Sequence, residues 1–288
     1  MTHIYRRRFA VRNYEMSPAG HAHDSVFLNY VQQAAFEASA DAGFDLQRYH
    51  ELGALWVIRR QTVAYLAPLT QDDTVEVTTW VSDIRRVRSH REYELRRVSD
   101  ARLVAVARVD WVYVDAAALF PRRVPPAVQD ALQPNGVSAL DSAPPLEPAK
   151  EVDGRLFVYR HRVKSYEMDR LRHVNNANYL KWLNQARLDA LGEIGIGYGS
   201  PRSEAEGDWV LEMSPVRYEI EYFVPTVAGD QVEVHSRVVA AGESQLSWEH
   251  EVWRGKERAV KASATICLAG EGGAPMPLTR ALLEALAR

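Results

Sequence analysis

The run Tyr166-Glu167-Met168-Asp169-Arg170-Leu171-Arg172-His173-Val174-Asn175-Asn176 decides how the chain reads. It crowds a carboxylate, a histidine and two amides into a loop that opens straight into a helical pattern. From Ala177 to Gly195, apolar side chains recur at Tyr179, Leu180, Leu183, Ala186, Ala190 and Leu191, the spacing of one helix face. Asn175 and Asn176 suit the cap, where a short side chain accepts from the free N–H groups of the first turn. Those N–H groups and the helix dipole also favour developing negative charge. A base, a proton-handling ring and an oxyanion cradle within eight residues are the makings of an acyl-transfer site.

The stretch occurs twice. Tyr14-Glu15-Met16 repeats Tyr166-Glu167-Met168 at an offset of 152, which carries His21 to His173, Leu28 to Leu180, Ala34 to Ala186 and Gly43 to Gly195. Further on the offset becomes 157, as Pro68 and Pro225 or Val75-Glu76-Val77 and Val232-Glu233-Val234 show. A single repeat of this length is a duplicated domain, not a solenoid unit. The expected division is an N-terminal domain over 1–118, a Pro-rich linker over 119–153 and a C-terminal domain over 154–288.

Each half of the 288 residues is long enough to bury its own core. Apolar and charged fractions are those of an ordinary globular protein. A net charge of −3 gives no reason to expect nucleic-acid or membrane binding. No apolar run is long enough to span a bilayer, and the basic N-terminus lacks the apolar region of a secretory signal. The single cysteine, Cys267, excludes an internal disulfide and multi-cysteine metal sites, so the expected compartment is the reducing cytoplasm.

Taken in order, the pattern predicts a strand over Ile4–Met16 and a loop to an N-cap at Asp24. A helix over Ser25–Gly43 and a short helix over Leu46–Leu52 follow. Strands are expected at Leu55–Ala67, Thr74–Ile84, Val87–Val98 and Leu103–Val114. Prolines between Phe120 and Asp153 break any ladder, leaving at most a short helix near Ala127–Leu132. The pattern then restarts: strand Arg155–Met168, helix Asn176–Gly195, strands Trp209–Val224, Asp230–Val239, Gln245–Trp253 and Ala259–Leu268, and a terminal helix Thr279–Ala287. Strand, long helix and four mostly antiparallel strands make a sheet wrapped around one helix, in two copies.

At this point a family resemblance enters. His173-Val174-Asn175-Asn176-Ala177-Asn178-Tyr179-Leu180, with Trp182 and Leu183 behind it, resembles the helix start of hotdog thioesterases. The wider match takes in Leu55-Trp56-Val57-Ile58-Arg59-Arg60 and Thr79-Trp80-Val81. Together they are most similar to tandem-hotdog acyl-ACP (acyl carrier protein) thioesterases, and more loosely to acyl-CoA thioesterases of the 4-hydroxybenzoyl-CoA type. The resemblance covers about residues 4–116 and 155–270.

It implies an α+β fold of two hotdog domains, each a long helix wrapped by an antiparallel sheet, forming an intrachain pseudo-dimer whose N-terminal half lines the pocket. It further implies hydrolysis of acyl thioesters carried on acyl carrier protein or coenzyme A, without metal or redox cofactor. A homodimer of such pseudo-dimers is conceivable on the same basis.

Carried over by position, Asp169 falls on the family's catalytic aspartate and His173 on the histidine of acyl-ACP thioesterases. Asn176 falls where a backbone N–H polarises the thioester carbonyl, beside Asn175. Glu221 falls on a glutamate implicated in the plant enzymes. Two positions depart: Leu171 stands where a catalytic asparagine is common, and Tyr222 where plant enzymes have a cysteine. Residues expected to meet substrate are His21, Trp56, Tyr179, Trp182, Arg86 and Arg88.

Each of these has a plainer reading. Asp169 could serve only the turn, yet its counterpart is Ser17, so the loop does not need the carboxylate. Asp169 is then a general base on water or a nucleophile forming a mixed anhydride. His173 and His21 occur in both copies, which gives a locking role equal standing with a catalytic one. Glu221 suits a solvated strand face. Arg85, Arg86, Arg88, Arg91, Arg96 and Arg97 crowd one hairpin, either as a solvated edge or as a landing site for an acidic carrier or coenzyme A phosphates. His21-Ala22-His23-Asp24 lacks a third ligand for zinc, and no Gly-x-Ser-x-Gly elbow is present. Two other readings stay open: a hotdog dehydratase or hydratase, which lacks support from a histidine-phenylalanine-proline signature, and a non-catalytic acyl-thioester binding module.

Overall fold

The computed structural model describes residues 2–195, 212–269 and 275–287. Contacts divide the chain into two units, Met1–Pro144 and Pro145–Arg288.

The first unit runs β1 (Tyr5–Ala10), a 3-10 turn (Asn13–Glu15), α1 (Asp24–Asp41), α2 (Leu46–Glu51), β2 (Ala54–Tyr65), β3 (Thr74–Arg85), β4 (Arg88–Arg97), β5 (Leu103–Asp115) and α3 (Pro126–Leu132). Its strands pair in the order β1-β3-β4-β5-β2, all antiparallel. The second unit runs β6 (Lys150–Glu151), β7 (Phe157–Arg162), a 3-10 turn (Ser165–Glu167), α4 (Asn176–Glu193), β8 (Glu212–Tyr222), β9 (Gln231–Ala241), β10 (Gln245–Arg254), β11 (Glu257–Ala269) and α5 (Arg280–Ala287). Its strands pair β8-β11-β10-β9, with β6 and β7 both antiparallel to β9.

Each unit is one long helix against an antiparallel sheet, the α+β hotdog architecture that the resemblance implies. α1 lies against β1 and β3, and α4 against β7 and β9. α1 buries Phe27, Leu28, Val31, Ala34, Ala35 and Ala38; α4 buries Leu180, Leu183, Ala186, Ala190 and Leu191. Alanine at the shared positions lets helix and sheet approach closely, while each larger side chain contributes about 1.5–3 kcal/mol by leaving water. Among the described residues β1 pairs only with β3, so Arg6, Arg7 and Arg8 do lie on an edge, where Arg8 meets Glu76 at 2.9 Å.

Several boundaries differ from the pattern. β1 and β7 stop at Ala10 and Arg162 rather than Met16 and Met168. Glu15 and Glu167 reach back to accept from Arg12 N (2.9 Å) and Lys164 N (2.6 Å), and the chain coils into a 3-10 turn that leaves the ladder. Asp24 is the first residue of α1, not its cap; His23 takes the cap position and the Asp24 carboxylate accepts from Ser25 N at 2.7 Å. β8 begins at Glu212; residues 209–211, expected to begin that strand, fall outside the described residues.

The Pro-rich segment over 119–153 is more than a spacer. α3 opens with a proline in its first turn, where the missing N–H has no intrahelical partner to lose. Val124, Val128 and Leu132 join Tyr49, Val81 and Tyr113 in one buried cluster. Further on, Ala139 N donates to Glu92 Oε2 at 3.0 Å and Trp80 Nε1 to Val137 O at 2.9 Å. Prolines forbid a strand ladder, but not the packing of the side chains between them.

Candidate active site

The loop before α4 hangs on one buried carboxylate. Glu167 accepts from Lys164 N (2.6 Å), Trp182 Nε1 (2.8 Å) and His161 Nε2 (2.9 Å). Burial pushes this carboxyl up, but those three donors outweigh it and hold it below the usual carboxylate range. The Glu167 carbonyl accepts from Asn175 N (2.9 Å) and Asn178 Nδ2 (2.8 Å). One residue thereby ties the incoming strand, the loop and the helix start together.

Between these anchors the loop closes on itself. Asp169 N donates to His173 O at 2.9 Å, Arg172 N to Asp169 O at 3.0 Å, and Arg172 adopts φ +62°. Met168 and Val174 form a bridge, and Val174 N reaches Thr226 O at 2.9 Å. The Asp169 carboxylate accepts from Leu171 N at 2.8 Å. Its Oδ1 stands 3.8 Å from His173 Nδ1, beyond a hydrogen bond but close enough for mutual attraction if the ring is charged. His173 Nδ1 also lies 3.1 Å from Val174 O. A carbonyl only accepts, so that contact places the proton on Nδ1 and leaves Nε2 as the basic nitrogen of the neutral ring. Asp169 and His173 keep 18% and 27% of their side-chain surface, enough to meet a solute.

At the helix mouth, Asn175 Oδ1 accepts from Ala177 N at 3.0 Å and Asn178 N donates to Asn175 O at 2.9 Å. Asn175 N is already taken by Glu167. Among the described residues this leaves Asn176 N as the first-turn donor without an assigned acceptor, and it heads the α4 dipole. A carboxylate, a ring nitrogen and a free backbone donor therefore share one loop, which is what attack on a polarised carbonyl requires.

The other expected residues are scattered. Tyr179 and Trp182, expected to meet substrate, are buried; the Tyr179 hydroxyl bonds Thr226 Oγ1 at 2.8 Å while Trp182 holds Glu167. Trp56 packs edge-to-face on Tyr113 at 5.0 Å in the first unit's core. His21 Nδ1 lies 3.4 Å from Ser17 Oγ in the matching loop. Glu221 stands opposite Lys261 on β8, and it is not among the bonding partners of Asp169 or His173.

The arginine group separates as well. Arg96 pairs with Glu94 and Arg97 with Asp73 and Asp100. Arg86 sits in the β3–β4 turn at φ +49°, and Arg91 is buried. Arg85, Arg88, His90 and Arg108 line a cavity of about 310 Å³ together with Ser82, Asp83 and Gly136. A second hollow of about 460 Å³ follows Arg162–Tyr166 with Ala228 and Gly229, beside the turn that leads to Asp169. Neither includes Asp169 itself.

Sequence reasoning passed over Glu167, although Glu15 repeats it at the shared offset and so signalled a structural carboxylate. Its partners His161 and Trp182 carry no such signal, because Phe9 and Tyr30 stand at the matching positions.

Comparison with known proteins agrees with this architecture. The chain matches an acyl-[acyl-carrier-protein] hydrolase of Cuphea viscosissima at 23% identity over 193 residues, covering 62% of this chain and 46% of the relative. The chain thus spans about half the length of the curated relatives it matches. Among solved structures, the 12:0-ACP thioesterase from Umbellularia californica superposes with a TM-score of 0.72 at 19% identity, covering 92% of this chain and 94% of that one. An acyl-ACP thioesterase from Bacteroides thetaiotaomicron gives 0.67 at 17% identity, covering 91% and 97%. Likeness at such identities speaks for the fold, two hotdog domains in one chain. The profile of the thioesterase-like superfamily matches residues 11–132 and 163–286, so most of both halves is accounted for, and the chain belongs to the thioesterase-like superfamily.

Proposed function

We propose that the chain hydrolyses acyl thioesters, with Asp169 as the essential carboxylate. The observation that carries this reading is the loop before α4, where Asp169, His173 and the open N–H of Asn176 share one turn. The relatives named as acyl-ACP hydrolases support the substrate class.

In this reading the thioester carbonyl oxygen accepts from Asn176 N as charge develops on it. Asp169 takes a proton from water, water oxygen bonds to the carbonyl carbon, the C–S bond breaks, and the thiol leaves with a proton. In the other form of the same chemistry, Asp169 attacks the carbonyl carbon and water then cleaves the anhydride. A single turnover in ¹⁸O-water followed by mass analysis of the Asp169 peptide separates them where water opens the anhydride at the aspartyl carbon: label in the carboxylate identifies the anhydride route. His173 in its neutral form carries no proton on Nε2, so it serves the leaving thiolate only after taking one up there, and it then passes that proton to sulfur. Binding energy for the thioester oxygen at such a donor is worth about 10²–10³ in rate.

The carrier is acyl carrier protein or coenzyme A, and the cationic cavity around Arg88 is where phosphate or acidic side chains would land. Thiol release from a panel of acyl-CoA and acyl-ACP substrates tests the proposal. Turnover that is unchanged in Asp169→Asn refutes it.

A further inference from the structure

Among the described residues, the first unit buries one cation, Arg91, that has no ion pair. Arg91 on β4 is 5% exposed, and among the described residues its Nη1 has no acceptor. The groups whose charge it feels are Tyr93 and Tyr49, and burial pushes its guanidinium below the ordinary arginine range. Two more buried donors face the same side of the sheet. Tyr93, fully buried, lies two residues along β4, and Trp111 on β5 pairs with Ser89, two residues the other way. No hydrogen bond of full geometry reaches the Tyr93 hydroxyl or Trp111 Nε1, although the indole N–H is near enough to the tyrosine oxygen to favour its charged form. Tyr113 OH, buried beyond Trp111, is unpartnered too.

The second unit meets the same need differently. At the matching positions stand Trp248 and His250. Its buried arginine, Arg187, donates to Asn184 Oδ1, to the Tyr218 hydroxyl and to His250 Nε2 (3.2 Å), and His250 is held in turn by Ser236 Oγ at 2.7 Å. Apart from Arg187 Nε, that network is closed. On this face of the first unit's sheet Arg91 and Trp111 only donate and the tyrosine hydroxyls carry no charge, so what is missing is an anionic acceptor; Asp110 Oδ1, also unpartnered, lies on the other face of β5, 3.7 Å from His90 Nε2. A buried ion without an acceptor is costly.

We propose that Arg91, Tyr93 and Trp111 form a buried carboxylate-binding site inside the first unit that takes the head group of a free aliphatic acid. One guanidinium matches one negative charge, and a dianionic phosphate would leave net charge in an apolar interior. The surroundings are apolar: Val81 and Val109 flank Arg91 across the ladder, and Tyr49, Val81 and Tyr113 belong to one hydrophobic cluster. The site goes beyond the proposed hydrolysis and does not depend on Asp169. If both hold, the acid released by hydrolysis is itself an occupant, and product would act back on the enzyme.

Calorimetric titration of the full chain with dodecanoate and with dodecanol, both below micelle formation, tests it without any turnover. Dodecanoate is expected to bind about tenfold to a hundredfold tighter than the alcohol. Arg91→Met removes that preference and leaves both ligands at the affinity of the alcohol, with a melting temperature at or above that of the parent. Trp111→Phe and Tyr93→Phe, which keep the charge, each weaken only the acid, by several-fold, and they carry the test if Arg91→Met does not fold. Equal binding of acid and alcohol, no binding of either, or a preference that survives Arg91→Met overturns the site; the donors are then met by water alone.

Discussion

The loops before α1 and α4 share a backbone and differ in chemistry. Ser17 N donates to His21 O at 2.7 Å as Asp169 N does to His173 O; Ala22 N reaches Leu69 O at 2.7 Å as Val174 N reaches Thr226 O. Gly20 adopts φ +83° where Arg172 adopts +62°, and a bridge joins Met16 to Ala22 as another joins Met168 to Val174. Glu15 and Glu167 each accept from a backbone N–H three residues earlier. On this common frame, Ser17 replaces Asp169 and Asp24 replaces Asn176. The first loop has lost the acid and placed a carboxylate at its helix mouth. The duplicated fold thus needs the turn, the glutamate and the histidine, but not the aspartate or a neutral first turn. What only the second copy keeps is where chemistry is to be sought.

The largest effect should come from that difference. Asp169→Asn keeps the shape and the Leu171 N contact but cannot take a proton or attack. Its kcat/KM should fall by about 10²–10⁴ in thiol-release assays. His173→Gln should lose about 10² while His21→Gln loses almost nothing. An equal loss at both histidines would mean that they lock their loops and do no chemistry.

Glu167 tests the frame itself. Replacing it by glutamine leaves one of its donors facing another donor, and a loss of about 1–3 kcal/mol in unfolding free energy is expected. The charge also ties stability to pH. Because the folded carboxyl titrates below its unfolded value, its contribution is complete above the ordinary carboxylate range and is lost as pH falls through the lower folded value. The stability gap between parent and Glu167→Gln in urea melts should therefore narrow as the pH is taken from neutral toward acid. A gap that widens on acidification contradicts the assigned hydrogen bonds.

The two-fold fold was legible because duplication doubled each signal: helical spacing after both loops, and strand runs that recur at a near-constant offset. The loop with Asp169 and His173 was legible because those residue types are chemically specific. The 3-10 turns were not, since Glu15 and Glu167 act through side-chain bonds to the backbone that no periodicity reveals. Nor was the place of α3, whose Val128 and Leu132 look like spacer residues until the cluster around Tyr113 is assembled. The arginines misled for a related reason. Alternation along β4 turns Arg91 inward while Arg88 stays out, and composition alone makes them one group.

That separation yields a smaller effect. Asp83 holds Arg85 at 2.9 Å and Glu92 holds Arg108 at 2.7 Å, so Arg88 is the arginine of this cavity without an ion pair among the described residues. Arg88→Glu should raise KM for acyl-ACP several-fold at low salt, with kcat unchanged, and the difference should vanish at high salt. A change in kcat would move Arg88 from carrier docking to the reaction. Glu221→Gln should change turnover less still, since Glu221 bonds neither Asp169 nor His173.

The smallest effect is expected from the most direct graft. Ser17→Asp restores to the first loop the acid it lacks, on a backbone that already matches. Yet in an Asp169→Asn background it should not raise turnover above that of Asp169→Asn alone. Ser17 is 7% exposed, so a carboxylate there is desolvated and inclined to stay protonated. Asp24 compounds this: its carboxylate already takes the Ser25 N–H at 2.7 Å and sets a negative charge where an oxyanion would form. Adding Asp24→Asn separates these obstacles. If the helix mouth is the larger of the two, the triple variant rises above the Asp169→Asn baseline while Ser17→Asp in that background does not. Recovery from Ser17→Asp alone would show that the carboxylate by itself distinguishes the copies, and that the neutral first turn of α4 contributes nothing.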